Sequence, residues 1–142
     1  MSLSDYPEIV TKHHDRVTRV VRTPRSLSAG ERDALVTILS YANFVGRAAL
    51  LEQVDAVRIV GGCDCGCATV DLEIPDAPPS DAIAYPIPSE ATVFDPDGQA
   101  IGGILVFARD GRLAQLEVYS YGDEPISPFP PIERLALTSA PK

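Results

Sequence analysis

The sequence predicts an α+β fold, with two N-terminal helices packed on a mainly antiparallel sheet of four to five strands. Three observations lead there: a capped stretch with helical apolar spacing after Ser28, short segments with period-two alternation after Ala56, and an Asp110-Gly111 turn joining two of those segments. A length of 142 residues suits one domain, and 45% apolar residues can fill its core.

The chain opens with a segment unlike the rest in charge. Lys12, Arg16, Arg19, Arg22 and Arg25 stand against Asp15 alone, a local net of +4, so the remainder carries −12 of the total −8. Such an arm binds a polyanion or lies across its own acidic body. No aromatic residue between Lys12 and Arg25 offers a surface for stacking bases, which favours the second reading. Residues 1–27 are therefore read as a basic arm, in which Val17, Val20 and Val21 either add a short strand or stay solvated. Residues 28–135 are read as one α+β domain, and residues 136–142 as a tail without a strong element.

Ser28-Ala29-Gly30-Glu31 has the form of a capping box, where the hydroxyl accepts a free backbone N–H and the Glu reaches back. Leu35, Ile38, Leu39 and Ala42 then form one apolar stripe, so the first helix spans Ala29 to Ala42. After Asn43 and Gly46, Arg47 to Val54 reads as a shorter helix that buries either Ala48, Leu51 and Val54 or Leu50 and Val54.

Val57 to Gly61 is short and β-branched. Ala68 to Ile74 alternates, with Ala68, Val70, Leu72 and Ile74 on a core face and Thr69, Asp71 and Glu73 on a polar one. The proline-rich stretch from Pro75 to Pro88 suits a surface loop. A short strand over Ala91 to Phe94 ends at the turn residues Asp95-Pro96-Asp97-Gly98. Ile101 to Arg109 and Arg112 to Tyr119 form a hairpin about Asp110-Gly111. A regular two-residue turn pairs Arg109 with Arg112, Phe107 with Ala114, Leu105 with Leu116 and Gly103 with Val118. That register puts Leu105, Phe107, Ala114, Leu116 and Val118 on the core face. The other face is only partly polar, so self-association as a homodimer or the proline-rich segments are expected to cover it.

Composition excludes several functions. No apolar run approaches the roughly 18 residues of a membrane span, and Met1 to Val10 lacks a signal-peptide layout, so the chain is read as cytoplasmic with no membrane partner. A pI near 4.6 argues against nucleic acid. Three cysteines do not make a disulfide scaffold. Gly-x-Ser-x-Gly, phosphate-loop and His-Glu-x-x-His patterns are absent, and the only histidines, His13 and His14, are adjacent. Asp71 and Glu73 read as a solvated edge. No catalytic residue is assigned, which leans away from an enzyme.

Cys63, Cys65 and Cys67 lie in Gly61-Gly62-Cys63-Asp64-Cys65-Gly66-Cys67, between two expected strands. If the stretch were extended, the thiols would share the polar face. Clustered thiolates suit Zn(II) or Cu(I), although the spacing differs from Cys-x-x-Cys and a tetrahedral site needs a fourth donor from His13, His14 or a second chain. A strained disulfide, Cys63 to Cys65 or Cys65 to Cys67, is a second thiol chemistry. The plain alternative is a glycine-cysteine turn joining two strands.

Gly62 to Leu72 and Asp110 to Tyr119, followed by Gly-Asp-Glu-Pro, resemble an uncharacterised family of small bacterial proteins with a Cys-x-Cys-Gly-Cys turn and a Leu-Glu-Val-Tyr strand. The resemblance runs over roughly Ser28 to Leu135 and implies no activity or ligand. The leading reading is a non-catalytic binding or protein-interaction module. Its exposed rim of Tyr119, Tyr121, Asp123 and Glu124 would receive a basic protein partner, with no cofactor. The alternative is a thiolate protein that binds Zn or Cu through Cys63, Cys65 and Cys67.

Overall fold

A computed structural model of the chain describes residues 10–13, 16–75 and 86–139. In chain order these form β1 (Val10–His13), β2 (Arg16–Arg25), α1 (Ala29–Tyr41), α2 (Arg47–Gln53), β3 (Arg58–Cys63), β4 (Val70–Glu73), β5 (Ser89–Phe94), β6 (Ala100–Arg109), β7 (Arg112–Ser120) and β8 (Leu135–Ser139). Single 3-10 turns follow α2 at Val54–Ala56 and precede β8 at Ile132–Arg134.

The architecture is α+β as expected, but the sheet is larger than four to five strands. Eight strands pair in the order β1-β2-β3-β4-β7-β6-β5-β8, antiparallel throughout. The additional strands come from the two ends of the chain. The basic segment forms the β1–β2 hairpin, which pairs with β3 through Thr18 opposite Cys63. The segment expected to end without a strong element forms β8, pairing with β5 from Ser89 opposite Ser139 to Val93 opposite Leu135. A short alternation of Leu135 and Leu137 toward the core is enough once an existing edge offers its unpaired N–H and C=O groups. Most of the Pro75 to Pro88 loop, residues 76–85, lies outside the described residues.

The capping box forms as the sequence predicts. The Ser28 hydroxyl accepts the Glu31 N–H, and the Glu31 carboxylate accepts the Ser28 N–H. Leu35, Ile38 and Leu39 of α1 are fully buried, and α2 takes the phase that buries Leu50 and Val54. Both helices face β-strand residues Ala91, Val93, Ile104, Val106, Leu116 and Val118 in one core. Gln53 is buried with them, donating from Nε2 to the Gly111 carbonyl at 3.0 Å and accepting the Leu113 N–H at Oε1 at 3.0 Å. It holds the hairpin turn against the helix layer.

That hairpin turns at Asp110-Gly111, both at positive φ (54° and 78°), with Arg109 opposite Arg112 as expected. The register then departs from the expected one. Ala108 pairs with Leu113 but Phe107 pairs with Gln115, so Ala114 is an extra residue on β7. Beyond this bulge Ile104 meets Val118 and Val106 meets Leu116. The core face is therefore Ile104, Val106, Ala108, Leu113, Leu116 and Val118, while Leu105, Phe107 and Ala114 are half-buried off it. One bulge inverts the face of every β6 residue assigned from a regular hairpin, because side chains alternate with a period of two.

Pro125 to Pro131 closes one end of the helix-side core. Ile126 and Phe129 pack against it, Ile126 accepts the Ala68 N–H at 2.9 Å, and Phe129 sits beside Gly30 of α1. It lies on the helix side, not over the opposite face, for which the sequence predicts cover either by self-association or by the proline-rich segments and whose Phe94, Leu105, Phe107 and Tyr119 are half-buried.

Candidate metal centre

Cys63 ends β3, and Cys65 and Cys67 lie on the connection to β4. Gly62 pairs with Val70, and a Cβ at Gly62 would lie 3.2 Å from the Thr69 carbonyl, so a glycine lets the two strands close tightly beneath the turn. Past Cys63 the chain is a turn, not an extended strand, with Gly66 at φ +97° reversing it between Cys65 and Cys67. The expectation that extended backbone aligns the thiols on one strand face does not apply. The turn gathers them instead, with all three Sγ atoms within 4.8 Å of one another.

Cys65 is exposed at the apex, and Cys63 and Cys67 are half-buried; none is in a disulfide. Cys63 Sγ–H donates to Cys65 Sγ at 2.8 Å, and the Cys67 backbone N–H donates to the same sulfur at 3.3 Å. The Cys65 N–H donates to Cys63 Sγ at 3.4 Å. Two titrations split apart as a result. Burial, reinforced by the hydrogen bond to Cys65, pushes the Cys63 thiol up to about 12. Burial also opposes charge on Cys65, but hydrogen bonds from Cys63, Cys67 and the turn backbone outweigh it and hold that thiol below its ordinary value. No cation or long helix N-terminus is needed for this; donors from the turn itself suffice.

Thr69 anchors the cluster, a role the sequence analysis missed by placing it on the solvent side. It is 2% exposed. Its Oγ1 accepts the Val118 N–H at 2.8 Å, donates to the Val118 carbonyl at 3.2 Å and accepts the Cys67 Sγ–H at 3.3 Å. That uses the hydroxyl's one donor and both acceptor sites. The β4–β7 ladder runs only from Asp71 opposite Gln115 to Val70 opposite Leu116. One step further β4 leaves the sheet for the thiol turn, and the Thr69 side chain replaces the missing backbone partner of Val118. Only the strand register reveals this role.

A cavity of about 300 Å³ opens beside the sulfurs, lined by Cys63, Cys65, Cys67, Glu117 to Ser120 and Gly122 to Pro125. It joins two groups of residues singled out separately in the sequence, since Tyr119, Asp123 and Glu124 share it with the cysteines. Tyr119 crosses Gly103, where a side chain would collide with its ring, and meets the Tyr121 ring at 6.0 Å. Burial and the neighbouring Glu90 carboxylate raise the Tyr119 phenol above its ordinary value. Tyr121 is 60% exposed and, with Asp123 and Glu124, borders a larger cleft of about 720 Å³ lined in part by the same loop.

His13 stands on β1, two strands from β3, which by strand spacing is about 10 Å across the sheet, and His14 lies outside the described residues. Asp71 accepts from Gln115 Nε2 at 2.8 Å, a cross-strand contact, and Glu73 is exposed. Among the described residues no helix is long and apolar enough to cross a membrane, and the three cysteines are the one group of metal-ligating side chains so close together. Comparison of the chain with protein-family profiles, curated proteins and solved structures gives no match, so the site is read from its own chemistry.

Proposed function

We propose that the chain binds a soft metal ion, Zn(II) or Cu(I), through the thiolates of Cys63, Cys65 and Cys67. One observation carries this reading: three sulfurs within 4.8 Å of one another on a turn whose ends are pinned by sheet pairing and Thr69. Sulfurs bonded to one ion at about 2.3 Å stand roughly 3.8 Å apart, so the 2.8 Å Cys63–Cys65 pair has to open, by rotation of the exposed Cys65 side chain, and no pair has to close by more than about 1 Å. Three thiolates complete a trigonal Cu(I) site. Zn(II) takes a fourth donor from the cavity, water or a carboxylate of Asp123 or Glu124. The acidic lining of Glu117, Asp123 and Glu124 favours entry of a cation.

Protein purified under reducing conditions without chelator is expected to carry about one ion per chain by native mass spectrometry and elemental analysis, and Cys65→Ser is expected to lose it. Metal-free protein whose melting temperature is unmoved by added Zn(II) or Cu(I) would sink the proposal.

The interaction reading has its own support in the 60% exposure of Tyr121 beside the exposed Asp123 and Glu124. A basic segment would dock there by charge complementarity. Binding of a basic partner from the native host to the metal-free protein, lost in Asp123→Lys with Glu124→Lys, tests it; binding retained in that variant removes the rim.

A further inference from the structure

We infer that the Cys63–Cys65 pair is an oxidation site at which hydrogen peroxide or a small neutral hydroperoxide closes a disulfide, dismantling the three-thiolate cluster and leaving Cys67 reduced. The oxidation stands on geometry alone; the release of metal that follows from it rests on the metal-binding proposal.

The sulfurs are not equivalent. Cys63 and Cys65 Sγ are 2.8 Å apart, between the roughly 2.05 Å of a disulfide and the roughly 3.8 Å of two thiolates sharing an ion. The pair approaches or separates by about 1 Å or less in moving to either state, and the two states exclude each other. Cys67 also interacts with both sulfurs, but its thiol is held by a hydrogen bond to Thr69, which is fastened to Val118. Cys65 is the exposed member, and the cavity beside it admits a small oxidant. Carboxylates of Glu117, Asp123 and Glu124 on that wall disfavour anionic oxidants such as glutathione disulfide.

The chemistry balances with peroxide as the named oxidant. The Cys65 sulfur attacks one peroxide oxygen; an S–O bond forms, the O–O bond breaks, and two electrons pass from sulfur to the peroxide, which leaves as water or an alcohol after taking a proton. The sulfur of Cys63 then displaces the hydroxyl from the Cys65 sulfenic acid, forming the S–S bond and releasing water, its own proton having joined the leaving hydroxide. Two of the three thiolates are gone, and reduction by a dithiol restores them.

The test uses the full chain, metal-free and zinc-loaded, treated with a small excess of hydrogen peroxide. Free thiols are then blocked with one alkylating reagent, the protein is reduced, and newly exposed thiols are labelled with a second, so that fragment spectra locate each label. The expected result is the second label on Cys63 and Cys65 and the first on Cys67, in wild type and, for the pair, in Cys67→Ser, with no disulfide in Cys63→Ser. Glutathione disulfide at equal concentration is expected to give far less product. Zinc, followed with a chromogenic chelator, is expected to leave in proportion to disulfide formed. A Cys65–Cys67 or Cys63–Cys67 bond, no disulfide at all, or a faster reaction with glutathione disulfide overturns the site as assigned. A Cys63–Cys65 bond with zinc retained overturns the release. Protein that binds neither Zn(II) nor Cu(I) but forms the Cys63–Cys65 bond removes the metal-binding proposal and the release with it, and upholds the oxidation site.

Discussion

Replacing Thr69 with valine keeps the volume and β-branching of the side chain while deleting the hydroxyl that completes the sheet beside the thiol turn. The substitution orphans the Val118 N–H and C=O, which the hydroxyl serves at 2.8 and 3.2 Å beside a residue 2% exposed to solvent. A buried backbone group left without a partner costs about 1–3 kcal/mol, and the gain from burying a methyl in place of a hydroxyl offsets part of the sum, so a net loss of about 2–3 kcal/mol is expected. For a urea slope of about 2 kcal/mol/M, the unfolding midpoint should fall by roughly 1 M. Thr69→Ser keeps the hydroxyl and loses one methyl, and should cost about 1 kcal/mol or less. The unfolding is run with reductant and chelator so that metal binding does not add to the native state's stability. A second readout follows from the Cys67 contact at 3.3 Å: competition with a chelator should show zinc affinity about 10–100-fold lower in Thr69→Val and little changed in Thr69→Ser. A Thr69→Val protein within about 0.5 kcal/mol of wild type refutes the ladder-replacement argument.

Gly102→Ala places a Cβ against the Tyr119 carbonyl and 2.6 Å from Ile126 Cδ1, so the β6–β7 backbones must part; a loss of about 3 kcal/mol is expected in thermal unfolding, against about 1 kcal/mol for Gly98→Ala, where φ is +88° but space is open. Burial of Glu31 opposes its charge, but the two-pronged pair with Arg25 at 2.9 Å and the Ser28 N–H outweigh it and hold the carboxyl below the usual range. Its stabilisation is therefore present above the unfolded pKa of about 4.3 and lost as pH falls through the lower folded value. Because Arg25 is half-exposed, Glu31→Gln should cost only about 1–2 kcal/mol near neutral pH, and urea titration should show the gap shrinking at lower pH. Zinc affinity should fall at least about tenfold per pH unit between about pH 8 and about pH 6, since Cys63, pushed up to about 12, must give up its proton to bind; a flat competition profile over that range contradicts thiolate ligation.

Local chemistry was legible in the sequence wherever a signal acts within a few residues. Ser28 and Glu31 specify the start of α1, Asp110-Gly111 specifies the hairpin turn, and alternation in Val70, Leu72 and Ile74 specifies a core-facing strand, because capping, positive φ and period-two burial need no distant partner. The three cysteines were legible as a cluster, since two intervening residues cannot carry them apart. What required the tertiary structure is what depends on registration between distant segments. Whether Val17 to Val21 and Leu135 to Leu137 become strands was settled by the edges available to them, not by their own composition. The bulge at Ala114 decided which face of β6 is buried, and a single unpaired residue leaves no mark on an alternating pattern. The role of Thr69, the sharing of one cavity by the thiols with Tyr119, Asp123 and Glu124, and the removal of His13 to a strand two places away all follow from antiparallel pairing. Such pairing sets residues tens of positions apart side by side, and its energy lies in contacts that no local window of the chain contains.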